Sequence, residues 1–213
     1  MARLRFTISM SLDGYVAGPD QRPDQALGRG GESLHDWVVR LRSWREMHGM
    51  EGGAEGVDDE VVRESTANVG ATIMGRNMFG GHPGPWDAEK PWRGWWGDRP
   101  PFKHQVFVIT HHPREPLRFD NGTTFNFVTD GIDWALEQAK RAAGGGDVAL
   151  GGGADVANQY LAAGLVDEME LHVVPILLGG GARLLDDVGT DMHGLRLVRA
   201  VQGEDVVHLR FAR

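Results

Sequence analysis

The stretch Asp147-Val148-Ala149-Leu150-Gly151-Gly152-Gly153-Ala154-Asp155-Val156-Ala157-Asn158-Gln159-Tyr160-Leu161 constrains the fold more than any other part of the chain. It starts as a short apolar strand, breaks on three glycines and resumes with helical spacing at Val156, Ala157, Tyr160 and Leu161. Glycines at such a junction let a ligand approach the backbone, and the free N–H groups of a first helical turn favour a phosphate. The same pattern also serves a turn that binds nothing. The chain supplies its own control, because Leu-Gly-Gly-Gly-Ala recurs at Leu178 to Ala182, before Arg183-Leu184-Leu185-Asp186-Asp187, where no long helical pattern follows. That second copy reads as a turn. A common dinucleotide-binding domain places its glycine loop after the first strand, with an acidic residue about twenty positions later and further βα units behind it. Here the loop comes at residue 151 of 213, so it must complete a site begun earlier.

No linker divides the chain, and one domain over residues 1–213 is expected. Hydrophobic content of 41% and charge of 24% are those of a soluble globular protein, and no apolar run approaches a membrane span. Ser9, Ser11, Asp13 and Gly14 interrupt any signal-peptide core behind the basic start, which predicts a cytoplasmic location. Without cysteine there is no disulfide, thiolate nucleophile or thiolate metal site. A net charge of −8 argues against general nucleic-acid or anionic-membrane binding, so any phosphate must meet a local basic cluster.

In chain order, Leu4 to Met10 alternates as a strand, and Ser11-Leu12-Asp13-Gly14-Tyr15-Val16-Ala17-Gly18 turns away from it, either as a ligand wall or as a capped turn. Leu34, Trp37, Val38, Leu41 and Trp44 fall on one helical face inside a segment, 24–56, that reads as an insertion. Asp58-Asp59-Glu60 opens a helix, where acids cap and complement the dipole. The buried strand Val69 to Met74 ends in Gly75-Arg76-Asn77-Met78, where an arginine can grip a phosphate with two N–H groups or stay solvated. Residues 81–101 hold four of the seven tryptophans among five prolines, a rigid loop that covers a pocket, forms an interface or buries a satellite core. The strand Gln105 to Thr110 leads into the basic cluster His111-His112-Pro113-Arg114. A metal site on His82, His104, His111 and His112 is not expected, because adjacent histidines on extended chain point to opposite faces and no helical pair or third carboxylate ligand is present. Phe125 to Val128 is a strand and Ile132 to Lys140 a helix, while 168–174 alternates and 195–201 pairs with 205–211 around Gly203. The order is mixed α/β with an antiparallel end.

Together, Ser11 to Ala17, Met74-Gly75-Arg76, Ile109-Thr110-His111-His112, Leu150-Gly151-Gly152-Gly153 and Gly164 to Gly181 resemble the reductase domain of the bifunctional riboflavin-biosynthesis deaminase-reductases and, more distantly, dihydrofolate reductase. The resemblance runs from the first strand to about residue 187 and rests on order and spacing rather than on any single motif. It implies a dihydrofolate-reductase-like three-layer α/β fold, with a central, mostly parallel sheet flanked by helices, NADPH as cofactor, a small-molecule substrate and a homodimer. It also implies that Gly75, Arg76, Asn77 and Met78 lie at cofactor phosphate, and that Thr110, His111 and His112 hold the adenosine 2′-phosphate. By the same resemblance Leu150, Gly151, Gly152, Gly153, Ala154, Asp155 and Val156 hold the pyrophosphate, and Val16, Ala17 and Gly18 lie against the nicotinamide. No deaminase half is present in the sequence, and 24–56 and 81–101 lie where substrate would be enclosed, so the substrate does not transfer.

The expected activity is hydride transfer from NADPH to a C=N or C=O bond of a small pterin-like, pyrimidine-like or related molecule. The rivals are a nucleotide-binding interaction module without catalysis and a histidine-based metal hydrolase. NADPH is expected over NADH, since Arg76, His111, His112 and Arg114 can surround a 2′-phosphate. Two residues are candidate proton donors. Asp59 falls where dihydrofolate reductase carries its acid, counting back from Gly75-Arg76, and His172 shares a strand face with Glu168 and Glu170, on a strand expected to run through the sheet centre. Helix capping is the alternative for Asp59, and a strand hydrogen bond or dimer contact for His172.

Overall fold

The computed structural model of the chain describes residues 2–213. The elements are β1 (Leu4–Ser11), β2 (Tyr15–Ala17), a 3-10 turn at Gly31–Leu34, α1 (Asp36–Val39), α2 (Arg42–Met47), α3 (Val57–Thr66), β3 (Val69–Gly75), α4 (Arg76–Phe79), β4 (Gln105–Ile109) and β5 (Leu117–Arg118). There follow β6 (Thr124–Val128), α5 (Gly131–Ala142), β7 (Asp147–Leu150), α6 (Ala154–Ala162), β8 (Glu168–Val174), β9 (Ala182–Arg183), β10 (Arg196–Gln202) and β11 (Val207–Ala212). Nine strands form one sheet in the order β10-β11-β8-β1-β7-β3-β4-β6-β5. From β8 to β6 all neighbours are parallel, while the β10–β11 hairpin extends one edge and β5 the other with antiparallel pairing. The fold is thus the expected α/β arrangement, with a mixed, mostly parallel sheet and a C-terminal antiparallel hairpin. Among the described residues no helix is long and apolar enough to cross a membrane.

Two expectations need correction. The strand through the middle is β7, not β8, which stands third from the edge between β1 and β11. Burial explains the placement: Val148 and Leu150 of β7 are closed off on the helical face, whereas β8 takes the hairpin along its free side. The single helix read across 34–44 is broken into the 3-10 turn, α1 and α2, because Leu41 is extended and bridges to Ala54. The apolar face survives the break, since Leu34, Trp37 and Leu41 remain buried together with Val62 and Val174.

Strand alternation divides the two faces. Leu4, Phe6, Ile73, Phe107, Val148 and Leu150 meet α5 and α6 through Ala135, Ala139, Ala157 and Tyr160. The opposite face of β1 and β8 carries Arg5, Ser9, Glu168, Glu170 and His172, all buried. Arg5 donates to Glu168 at 3.1 Å and to the carbonyls of Glu64 and Ala67 at the end of α3, both 2.9 Å. Arg3 bridges Asp147 and Glu168 on β7 and β8 at 2.9 and 3.2 Å. Burial alone would raise the Asp147 carboxyl, but the hydrogen bonds from Arg3 outweigh it and hold the group below its ordinary range.

Removing one partner of such a buried network leaves a charge without compensation. Arg5→Leu should therefore cost roughly 3–5 kcal/mol of unfolding free energy, measured by urea denaturation. Arg196→Ala, at an exposed position of β10, should stay within about 0.5 kcal/mol of wild type.

Candidate functional site

The parallel strands all end on one side, so the segments after β1, β7, β3 and β4 stand next to one another there. Residues dispersed over the sequence become one edge. The turns after β7 and β3 interlock: Gly75 N–H donates to Gly152 O and Gly151 N–H to Ile73 O, both at 2.8 Å. A Cβ on Gly75 would come within 2.8 Å of Val156, and one on Gly151 within 3.0 Å of Met78, so these glycines permit the close approach. Leu150, Ala154 and Val156 are buried beneath the turn, while Asp155 and Asn77 are exposed beside it. A Cβ on Gly153 would meet nothing within 4 Å, which leaves open space in front of the first turn of α6. The N–H groups of that turn have no intrahelical partner.

The wall at Val16, Ala17 and Gly18 is built by contacts the sequence did not reveal. β2 pairs with β9, and a Cβ on Gly181 would lie 2.1 Å from Ala17 O, as would one on Gly18 from Arg29 O. The second Leu-Gly-Gly-Gly-Ala is a turn, as read, but it is also the brace of this wall. Asp13 fastens it, accepting from the N–H groups of Leu178 at 3.2 Å and Gly179 at 2.8 Å. The Ser11 hydroxyl, at 2.6 Å, does most to hold the Asp13 carboxyl down at about 2. An acid directly after a strand was the available signal; its partner loop lies too far along the chain to be inferred.

At the ends of β3 and β4 the basic residues meet the tryptophan loop. Arg76 donates to the carbonyls of Gly80 and His82, so the two-pronged phosphate grip expected from the sequence is already engaged, and its buried Nε has no partner. Its guanidinium lies 3.4 Å from the Trp86 ring centroid, and that of Arg114 lies 4.8 Å from the same ring. Desolvation, and after it the charge of Arg114, pushes Arg76 down to about 10. Thr110 receives the His112 N–H at 3.2 Å, His112 O accepts from the Trp86 indole at 2.8 Å, and His111 is exposed. The loop also buries a satellite core of Trp86, Trp92 and Trp96 on Phe79 and Phe125. Among the described residues no group of three or more His, Asp or Glu is placed to hold a metal ion.

Both expected proton donors are engaged in hydrogen bonds to the protein. Asp59 accepts from Ser43 N–H at 2.6 Å and from Arg63 at 2.8 Å, capping α2 from α3. Burial works to raise its pKa, yet these bonds prevail and the group stays ionised below the usual range. His172 is buried, with Nδ1 2.7 Å from Nδ1 of His208, whose Nε2 lies 3.0 Å from Asp58. Neutral rings satisfy both contacts when His208 donates to Asp58 and accepts from His172. Burial foremost, then the proximity of His208, Arg210 and His35, drives His172 down to about 3. A neutral imidazole with its N–H engaged is no general acid at neutral pH. The sequence picked Asp59 and passed over its neighbour Asp58 and the distant His208. Gly203 admits Asp58 to the hairpin, since a Cβ there would fall 1.9 Å from its Oδ1. Trp37 covers both rings at 4.8 and 5.2 Å and donates to Ser9. With Ser33, Asp36, Arg40 and Val174 it lines a cleft of about 350 Å³ at the end of β8.

Residues 2–209 match the family described as the RibD C-terminal domain. The chain belongs to that family. No curated protein matches the sequence. Among solved structures, a proposed riboflavin biosynthesis protein from Shewanella sp. PV-4 is similar at 20% identity and a TM-score of 0.59, with 100% of this chain and 99% of that one covered. RibD of Acinetobacter baumannii is 19% identical with a TM-score of 0.57, covering 100% of this chain and 58% of that one. The Thermotoga maritima diaminohydroxyphosphoribosylaminopyrimidine deaminase/5-amino-6-(5-phosphoribosylamino)uracil reductase is 12% identical with a TM-score of 0.57, covering 99% and 56%. The chain thus spans somewhat over half of the two longer proteins.

In this RibD C-terminal domain the buried His172 predicts a pH dependence. Unfolded His172 titrates near ~6.5 and folded His172 far lower, so the unfolded chain binds more protons between those values. Stability is complete above the unfolded pKa and declines as pH falls below it, and His35, lowered by burial, acts in the same sense. Urea unfolding at pH 7, 6 and 5 should show this decline. His172→Gln should reduce its slope by up to about 1.4 kcal/mol per pH unit.

Proposed function

We propose that this chain is an NADPH-dependent reductase acting on a C=N or C=O bond of a small pyrimidine-like or pterin-like molecule. One observation carries the reading: the interlocked glycine turns after β7 and β3 leave the first turn of α6 facing open space, one strand from Arg76 and two from Arg114, neither of which pairs with a carboxylate among the described residues. Membership of the RibD C-terminal domain family supports it, and so does the reductase half in the name of the Thermotoga maritima relative.

In this reading the N–H groups around Gly153 to Val156 hold pyrophosphate, with Leu150 to Gly152 shaping the turn and Gly75 to Met78 packed beside it. Val16, Ala17 and Gly18 set the plane of the nicotinamide, which supplies the hydride when bound. The backbone of Arg29 and of Gly181 packs directly against that wall, which suits an orienting role. The cleft beside Trp37, walled by the 24–56 insertion, takes the substrate. With Asp59 ionised and the His172 N–H engaged, the proton that follows hydride transfer comes from solvent.

Gly153→Val adds a side chain where the fold is empty and where the proposed ligand lies. It should keep stability within about 0.5 kcal/mol while lowering NADPH affinity at least tenfold, read by quenching of tryptophan fluorescence. Ala142→Val, at an exposed position of α5, is the control and should bind normally. Equal binding by both variants would remove the glycine turn from the site.

A further inference from the structure

Of the two segments expected to enclose substrate, the tryptophan loop is bonded to the ends of β3 and β4, and only 24–56 borders the cleft beside Trp37. Charge is divided along the same edge. Arg76 and Arg114 have no carboxylate partner among the described residues, whereas Arg40, the one basic residue lining the cleft, has two. Its guanidinium lies 2.9 Å from Asp205 and 3.1 Å from Glu204, both on the turn that joins β10 to β11. That turn is held in place. Gly203 N–H donates to Val206 O at 2.8 Å and Glu204 N–H to Asp58 at 3.3 Å, while Val206 is buried with Trp37, Leu34 and Val174. Asp36, exposed on the cleft wall, adds a third acid with no basic partner among the described residues. The cleft mouth thus sets three acids against one base that is already neutralised.

We propose that this cleft selects an unphosphorylated heterocycle, neutral or cationic, whose amino groups donate to Asp36 and Asp205 while its ring lies against Trp37 and Val174. The inference rests on the reading above that the cleft takes the substrate. Its walls belong to the same structure as the wall at Val16 to Gly18: a Cβ on Gly31, at the start of the 3-10 turn that carries Ser33, would lie 3.1 Å from Gly18 N, and Leu12 N–H donates to Ile176 O at 2.9 Å. A cleft whose apolar walls are rimmed by one sign of charge focuses that potential on its contents. A phosphate brought there would meet repulsion and would have to draw Arg40 away from two carboxylates. An amino group finds acceptors instead. The name of the Thermotoga maritima relative gives that protein a substrate with a phosphoribosyl group. The charges of this cleft are arranged against such a group.

The test measures equilibrium binding of 2,4-diaminopyrimidine, cytidine and cytidine 5′-monophosphate by calorimetry, with NADP+ in excess to fill the dinucleotide site. Wild type should bind cytidine roughly tenfold or more tightly than its monophosphate, and added salt should strengthen the monophosphate alone, because it screens repulsion. Asp36→Asn should weaken 2,4-diaminopyrimidine roughly 10–100-fold, the loss expected for one charged hydrogen-bonding group. Glu204→Gln combined with Asp205→Asn leaves Arg40 without a counter-charge and should tighten the monophosphate by about tenfold. All three acids are exposed, so folding should survive both changes. Should the double variant not fold, Asp36→Asn and the wild-type salt dependence decide. A wild-type preference for the monophosphate that Arg40→Ala abolishes would make Arg40 a phosphate clamp and overturn the inference. So would a cytidine preference unchanged in both acid variants. Binding of NADP+ without binding of any of the three probes would overturn it too and leave the reductase reading standing. Failure of NADP+ to bind, with the cytidine preference intact, would overturn the reductase reading and leave the selectivity of the cleft standing.

Discussion

The buried ionic layer of Arg5, Asp147 and Glu168, joined from its exposed rim by Arg3, ties three neighbouring strands and one helix at a single level. β1 supplies Arg5 and the residue just before it Arg3, β7 and β8 supply the carboxylates, and the carbonyls of Glu64 and Ala67 at the end of α3 complete the Arg5 shell. Hydrophobic contacts would tolerate a sliding strand, but a guanidinium with defined acceptors does not. The register of β1 against its neighbours, Leu4 with Val148 and Arg5 with Glu168, fixes where each strand ends. All the candidate ligand groups stand on those ends. Stability and site geometry are therefore set by the same residues, at opposite ends of the same strands.

From that layer the polar residues continue along the same face toward the site. Arg210 pairs with Glu170, and then His172 meets His208, which in turn meets Asp58, beneath Trp37. Polar groups taken out of water must find partners, and here they do so between α3, β8 and β11, elements far apart in sequence. The insertion 24–56 is held over this face by the Trp37 bond to Ser9 and by the Asp59 cap on α2. The acid expected to deliver a proton is instead a fastener between two helices. Its ionised state follows from that duty.

The chain treats the other end of the edge differently. There the tryptophan loop packs on Phe79 and Phe125 and leaves Arg76 and Arg114 without a carboxylate partner among the described residues, beside a turn whose N–H groups face open space. A site for an anionic ligand is the physical complement of both features. The rigid loop, stapled by indole N–H bonds, can hold such groups apart from the acids that crowd the rest of the surface.

The sequence by itself determined the elements whose cause is local. Leu150-Gly151-Gly152-Gly153 followed by helical spacing specified strand, turn and helix, and alternation specified β1, β8 and the terminal hairpin. Residues in ordered motifs from Ser11 to Gly181 were enough to reach the family. What only the tertiary structure decided depends on partners brought together across the sheet. Leu41 broke a continuous apolar pattern because Ala54 bridges it, Arg76 lost its free fork to two carbonyls, and His172 met His208, 36 positions away. Propensity and periodicity act over one or two turns, so they locate a side chain on a face. The charge it keeps and the group it touches are set by desolvation and by contacts that exist only after the chain has closed on itself.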